Sequence, residues 1–200
     1  MNIEDYIKQK KAFLFGFDDV LYPEKDYLLQ VYYLFSEFIT YSELMDAAEI
    51  IKFMKSEFEQ NGATAIFENT AAKFKISTKY EDNFKLLHQN ARLPLKLLLY
   101  QQMLTLLQEL VVERKEIYLV LDGNPAQQLN KVKQTEWHGL EKYLKLYFVE
   151  EFGAIENCIK FITHNHNLQK QEMLFIGNQE IINTHDKAID IDYFPVKKLL

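Results

Sequence analysis

The stretch Ala12 to Pro23, AFLFGFDDVLYP, constrains this chain most. Ala12 to Phe17 is an apolar run of strand length broken only by Gly16, and two acids, Asp18 and Asp19, follow at once. An apolar run without alternation reads as a strand buried on both faces, as in parallel sheets covered by helices on either side. Acids at the carboxyl end of such a strand stand where open α/β sheets place their ligands. The remainder of the chain must then supply crossover helices and further strands.

From Leu95 onward it does so. Apolar spacing predicts a helix over Tyr100 to Glu113, a strand Ile117 to Leu121 and a helix from Asn124 to about Glu136. A strand Leu146 to Val149, a helix Ile155 to Asn165, a strand Met173 to Ile176, a short helix near Ile181 to Asp186 and a last strand near Ala188 to Ile191 follow. Such alternation builds a parallel sheet through right-handed crossovers.

Between Pro23 and Pro94 there is no proline and the period changes to that of helices. Leu28, Val31, Tyr32, Phe35 and Phe38 make one apolar stripe. A second helix is expected from Ser42 as N-cap, with Glu43 and Asp46 in its first turn, through Leu44, Ala47, Ile51, Met54 and Phe58 to a stop at Asn61-Gly62. Ile66, Phe67 and Phe74 mark a third helix, and Tyr80, Phe84 and Leu87 a fourth. The expected fold is α/β: a Rossmann-like parallel five-stranded sheet of order 5-4-1-2-3 with Ala12 to Phe17 central, and an inserted four-helix-bundle cap. Residues 1–21 and 93–200 would form the core and 22–92 the cap.

Composition narrows the function classes. With 48% hydrophobic residues in 200 there is ample material for a core. A net charge of -6 and a pI near 5.4 offer no basic footprint, so neither nucleic acid nor a membrane is expected as a partner. The single cysteine, Cys158, excludes an intramolecular disulfide, fits a reducing compartment, and lies in an apolar-patterned helix where a buried thiol is inert. Met1 to Lys11 is charged throughout and no stretch approaches ~18 uninterrupted apolar residues, so a cytoplasmic protein is expected.

The frame Phe15-Gly16-Phe17-Asp18-Asp19-Val20-Leu21-Tyr22 resembles the first motif of the haloacid dehalogenase (HAD)-like hydrolase superfamily, Phe-Asp-x-Asp-Asp-Thr-Leu-Tyr. The order of elements is similar to its helical-cap, phosphoglycolate phosphatase-like subgroup. That resemblance implies a phosphatase or dehalogenase with an aspartate nucleophile, an acid/base two residues on, a lysine, and acids that hold Mg²⁺. Gly16 stands at the nucleophile position, Val20 at the threonine, and Asp18 alone is kept, at the acid/base position. Tyr118 to Tyr143 resembles the second-motif segment, with Leu121 in the Thr/Ser place and the turn Asp122-Gly123-Asn124-Pro125 retained. A leucine cannot hydrogen-bond a phosphoryl group, whereas Gly123, Asn124 and Pro125 suit a positive φ, a cap and a first helical position. Glu151-Phe152-Gly153 leads into Ala154-Ile155-Glu156-Asn157 where the family has its lysine, and Lys160 lies a turn further on. The fourth motif keeps Gly177 but carries Asn178 and Ile182 in place of the acids.

The losses are electrically coherent. Acids removed alone would strand a partly buried lysine, and the lysine removed alone would crowd carboxylates. The expectation is therefore a pseudoenzyme of the HAD fold whose cleft binds a small molecule or whose surface binds a protein, with no cofactor, since the Mg²⁺ ligands are missing. Asp18, Asp19, Asp122, Gly123, Asn124 and Asn178 are the ligand-cleft candidates. The alternative is an active hydrolase of a small phosphorylated metabolite with an atypical site around Asp18 and Asp122. His164, His166 and His185 read as solvated polar residues rather than a metal trio, and adjacent Glu150 and Glu151 cannot both face one substrate.

Overall fold

A computed structural model describes residues 2–178 and 191–200. The chain divides into two compact units, one of Met1–Pro23, Leu98–Gln128 and Thr135–Leu200, the other of Glu24–Leu97 and Leu129–Gln134.

The first unit is built on a five-stranded parallel sheet. Its central strand β1 (Ala12–Phe15) pairs on one side with β2 (Glu116–Leu121), Ala12 opposite Glu116. On the other side it pairs with β4 (Met173–Gly177), Ala12 opposite Met173. Outside these lie β3 (Leu144–Phe148), against β2, and β5 (Asp192–Pro195), against β4. This is the order read from the sequence. All four residues of β1 are buried, which is why the run shows no alternation.

β1 stops two residues earlier than expected, although the Gly16 amide still donates to the Ile176 carbonyl at 3.0 Å. β3 begins at Leu144 rather than Leu146 because Leu144 pairs with Ile117. The last strand lies at Asp192–Pro195, beyond the expected Ala188 to Ile191: Tyr193 stacks on Phe175 at 6.3 Å and donates its hydroxyl to the Gly177 carbonyl at 2.7 Å, so the aromatics hold the register. Residues 188–190 and the expected short helix Ile181 to Asp186 lie outside the described residues.

Among the described residues, three whole α-helices and the start of a fourth belong to this unit. α1 (Ile3–Gln9) opens on a capping box between Asn2 and Asp5. α2 (Glu24–Glu43), α3 (Ala47–Asn61), α4 (Ile66–Phe74) and α5 (Glu81–Asn90) belong to the helical unit. α6 (Gln101–Val112) buries Met103, Leu106, Leu107 and Leu110, and α8 (Ile155–Asn165) buries Ile155, Cys158, Ile159 and Ile162, both at helical spacing. Between them, α7 (Pro125–Gln134) is divided by the boundary between the units after Gln128.

The core of the helical unit is aromatic: Phe84 lies 5.0 Å from Phe35, 5.8 Å from Phe67 and 6.2 Å from Tyr32, ring centre to ring centre. Ser42 is not the cap of α3. It lies inside α2, the chain breaks at Leu44 with φ +55°, and the Asp46 carboxylate accepts from the Ala48 amide at 2.8 Å. Gly62, at φ +76°, closes α3 as expected.

Candidate functional site

At the carboxyl end of β1 the chain makes one tight turn, with the Val20 and Leu21 amides donating to the Phe17 carbonyl and Asp19 at φ +54°. This turn fixes Asp18, half-buried, and exposes Asp19. The Tyr22 hydroxyl donates to Asp18 Oδ1 at 2.5 Å, and Gln128 Nε2 donates to Asp18 Oδ2 at 2.8 Å. Tyr22 is fully buried, against Phe17 at 4.9 Å, and Phe17 stacks on Trp137. Both oxygens of the acid thus already accept from uncharged donors held by packing.

Gln128 Nε2 also donates to the Asp122 carbonyl at 2.6 Å, so one amide ties the end of β1 to the end of β2. The carboxylate of Asp122 is exposed and accepts from the Gly123 amide at 2.9 Å. Gly123 takes φ +94°, Asn124 accepts from the Gln127 amide at 3.1 Å, and Pro125 opens α7. Those three residues account for the turn through backbone geometry and capping. Asn178 Nδ2 donates to the Asp19 carbonyl at 3.4 Å. The structure therefore gathers Asp18, Asp19, Asp122 and Asn178 at the strand ends, and links Asp18 to Asp122 through the glutamine rather than carboxylate to carboxylate.

Gly16 is buried, and a Cβ built there would lie 3.1 Å from Val20 Cγ2. Leu121, fully buried, presents only carbon. Both departures from the family motif are thus packed features of the core. Gly177 is held by close approach as well, since a Cβ there would meet the Phe175 ring at 2.6 Å.

These residues do not fit magnesium. A hard divalent cation takes six or more oxygens and usually carboxylates among them. Here the one half-buried carboxylate is engaged by a phenol and an amide, and among the described residues no group of three or more His, Cys, Asp or Glu could hold a metal. Ile182 lies outside the described residues.

The other titratable groups fall elsewhere. His166 bonds the Tyr147 hydroxyl at 2.7 Å, and burial, with Lys145 adding, holds its pKa below the usual range. His164 is exposed, and His185 lies outside the described residues. Burial, with Glu151 adding, pushes the Cys158 thiol up to about 12, so it is a neutral core group at physiological pH. Lys160 is exposed. No helix among the described residues is long and apolar enough to cross a membrane.

Two residues of α7 that the motif comparison passed over emerge as central. Gln128 is 3% exposed and Lys131 0%, whereas Leu129 is 36% exposed, so this helix buries a polar face and shows an apolar one. Within the helical unit, Lys131 Nζ lies 3.0 Å from Glu24 Oε1 and 4.7 Å from the centre of the Tyr27 ring. Tyr27 in turn donates its hydroxyl to the His88 carbonyl at 2.7 Å and lies 3.1 Å from His88 Nδ1. Burial, with the Lys131 charge adding, lowers the His88 pKa to about 4. The signal in the sequence is the i, i+3 spacing of Gln128 and Lys131, which places them on one face of a helix whose Leu129 and Val132 fall elsewhere.

No family model matches the sequence, and no curated protein matches it. Solved structures do match the fold. One is a chain assigned as the HAD-hydrolase YfnB of Bacillus subtilis, bound to magnesium, at 14% identity with TM-score 0.59, covering 92% of this chain and 86% of that one. Another is a chain assigned as a phosphoglycolate phosphatase from Lactobacillus plantarum, at 14% identity with TM-score 0.55, covering 94% and 86%. The L-2-haloacid dehalogenase PA0810 matches at 13% identity with TM-score 0.55, over 92% and 83%. Taken with the central β1, the helical insertion that follows it and the strand-end turn at Asp18, these likenesses show that the chain has the HAD-like hydrolase fold with a helical cap.

Proposed function

We propose that this protein keeps the HAD-like fold without its hydrolytic chemistry and acts by binding, with the ligand cleft at the strand ends around Asp18, Asp19, Asp122, Gly123, Asn124 and Asn178. The observation that carries the reading is the engagement of Asp18. An acid/base must exchange a proton with its substrate, yet its two oxygens accept from Tyr22 and Gln128, and the nucleophile position beside it is Gly16, which has no side chain. Phosphoryl transfer on this plan needs a carboxylate nucleophile, a cation and a metal, and the described residues at the strand ends supply none of the three in the family's places.

The runner-up, a hydrolase using Asp18 with Asp122, draws support from the Gln128 bridge, which holds the two strand ends together. Against it, the Asp122 carboxylate caps its own turn. The test is turnover of p-nitrophenyl phosphate with added magnesium, run beside a thermal-shift screen of metabolites. No turnover above buffer, together with a metabolite that raises Tm in wild type and less in Asp18→Ala, is expected. Turnover that is abolished by Asp18→Asn would replace this reading with the hydrolase.

A further inference from the structure

The helical unit carries a concave surface of its own, lined by none of the strand-end residues. It is a cavity of about 490 Å³ between the segment that follows α5, residues 91–96, and the last turns of α7. Its wall is built rather than loose. Gln134 donates to the Ala91 carbonyl at 2.8 Å and accepts from the Leu93 amide at 2.5 Å, and Asn130 donates to the Ala91 carbonyl at 3.1 Å. Gln30 takes the Leu95 amide at 2.7 Å. Four hydrogen bonds, two donated and two accepted by side-chain amides, therefore hold this irregular segment in one shape, which lowers the ordering cost of anything that binds against it.

The charge lining this cavity is of one sign. Arg92, Lys96 and Lys133 border it, no acid does, and none of the three forms an ion pair with a described residue. In a chain with 29 acids against 23 lysines and arginines, a concave surface with three cations and no acid is a marked departure. Lys133 lies in the last turn of α7, where it complements the helix dipole. Arg92 and Lys96 belong to no helix, so that explanation does not extend to them.

We propose that this cavity is a binding site for a phosphate group, free or carried as the monoester of a small molecule. Three cations match a dianion better than the single charge of a carboxylate. Arg92 can present two parallel N–H groups to a phosphate edge, with Lys96 and Lys133 as point charges. Leu95, 71% exposed at the rim, gives the body of an ester an apolar surface to lie on. A volume of this size is that of a small-molecule pocket.

The experiment is calorimetric titration with inorganic phosphate, phenyl phosphate and benzoate at low ionic strength. It compares the wild type with Arg92→Gln/Lys133→Gln, both at exposed positions and with the fold checked by circular dichroism, and with Asp18→Asn. Phenyl phosphate or phosphate should saturate the wild type and Asp18→Asn alike, weaken at least about tenfold in the double variant, and weaken with added salt. Tighter binding of phenyl phosphate identifies an ester as the occupant, and equal binding of inorganic phosphate identifies the free ion. No saturable binding, binding that survives the double variant, binding lost in Asp18→Asn, or benzoate bound as tightly as phenyl phosphate would each overturn the assignment.

Discussion

The clearest residue-scale feature is the pairing of Gly16 with Val20. An alanine Cβ at position 16 would press on Val20 Cγ2 at 3.1 Å, in a turn where the Val20 and Leu21 amides are already fixed. Gly16→Ala should therefore lower stability by about 1–3 kcal/mol, the usual cost of overpacking, and Val20→Ala in the same chain should return most of it; denaturant titration of the three variants checks this. Gly16→Asp meets the same valine and adds a carboxylate next to Asp18, while Leu121 and Asn178 stay as they are. We expect no magnesium-dependent phosphatase activity from it, so turnover by that single variant would show that the site had been disabled at one point only. His88 gives a second test. Its folded pKa of about 4 lies below the ordinary value of 6.5, so the folded state favours the neutral ring. The stability that this contributes is complete above about pH 6.5 and is lost as pH falls toward 4, on the order of 3 kcal/mol if the shift is taken whole. His88→Asn, whose side-chain amide N–H can donate to the Tyr27 hydroxyl in place of the ring nitrogen, should flatten the fall in Tm across that window.

At the scale of elements, the fold was legible and the polar site was not. Uninterrupted apolar runs placed the three inner strands, since burial on both faces leaves its mark on nearly every residue of them, and alternation with helical stripes gave the order; the outer strands are less buried, and the last one lies beyond its expected residues. Ends were less legible: Ser42 and Asp46 are both good caps, and the choice was made by the backbone break at Leu44. α1 escaped because only Ile7 of its seven residues is buried, too little for a period. α7 misled for the opposite reason. A helix is read by assuming that its apolar residues point inward, and here Gln128 and Lys131 do so while Leu129 faces water. Burying a charge costs more than burying a leucine gains, so the inversion is sustained by partners in each unit: Asp18 for Gln128, and Glu24 for Lys131. The pair with Glu24 is asymmetric, because the Glu24 side chain is 32% exposed and that of Lys131 1%. Lys131→Met leaves a carboxylate that reaches water, whereas Glu24→Gln leaves a buried ammonium with one carboxylate fewer. Glu24→Gln should be the more destabilising by on the order of 1–2 kcal/mol in urea titrations.

On the scale of the whole molecule, the two units differ in how far along the chain their contacts reach. The bundle joins α2 to α3, α4 and α5, near neighbours in sequence, whereas β1 needs Glu116 on one side and Met173 on the other. Loop closure of that length is slow, and local helical contacts are not. Pulse-labelled hydrogen exchange during refolding should accordingly show the amides of Val31 to Phe35 protected before those of Phe13 to Phe15; simultaneous protection would mean a single nucleus spanning both units. The central position of β1 also bears on synthesis. β1 leaves the ribosome well before its second neighbour, which begins only at Met173. Until Met173 emerges, a fully apolar strand keeps one backbone edge unpaired, a template for strands of other nascent chains. Products arrested before that point carry this sticky edge permanently, so they should aggregate or be held by chaperones rather than persist as a smaller fold.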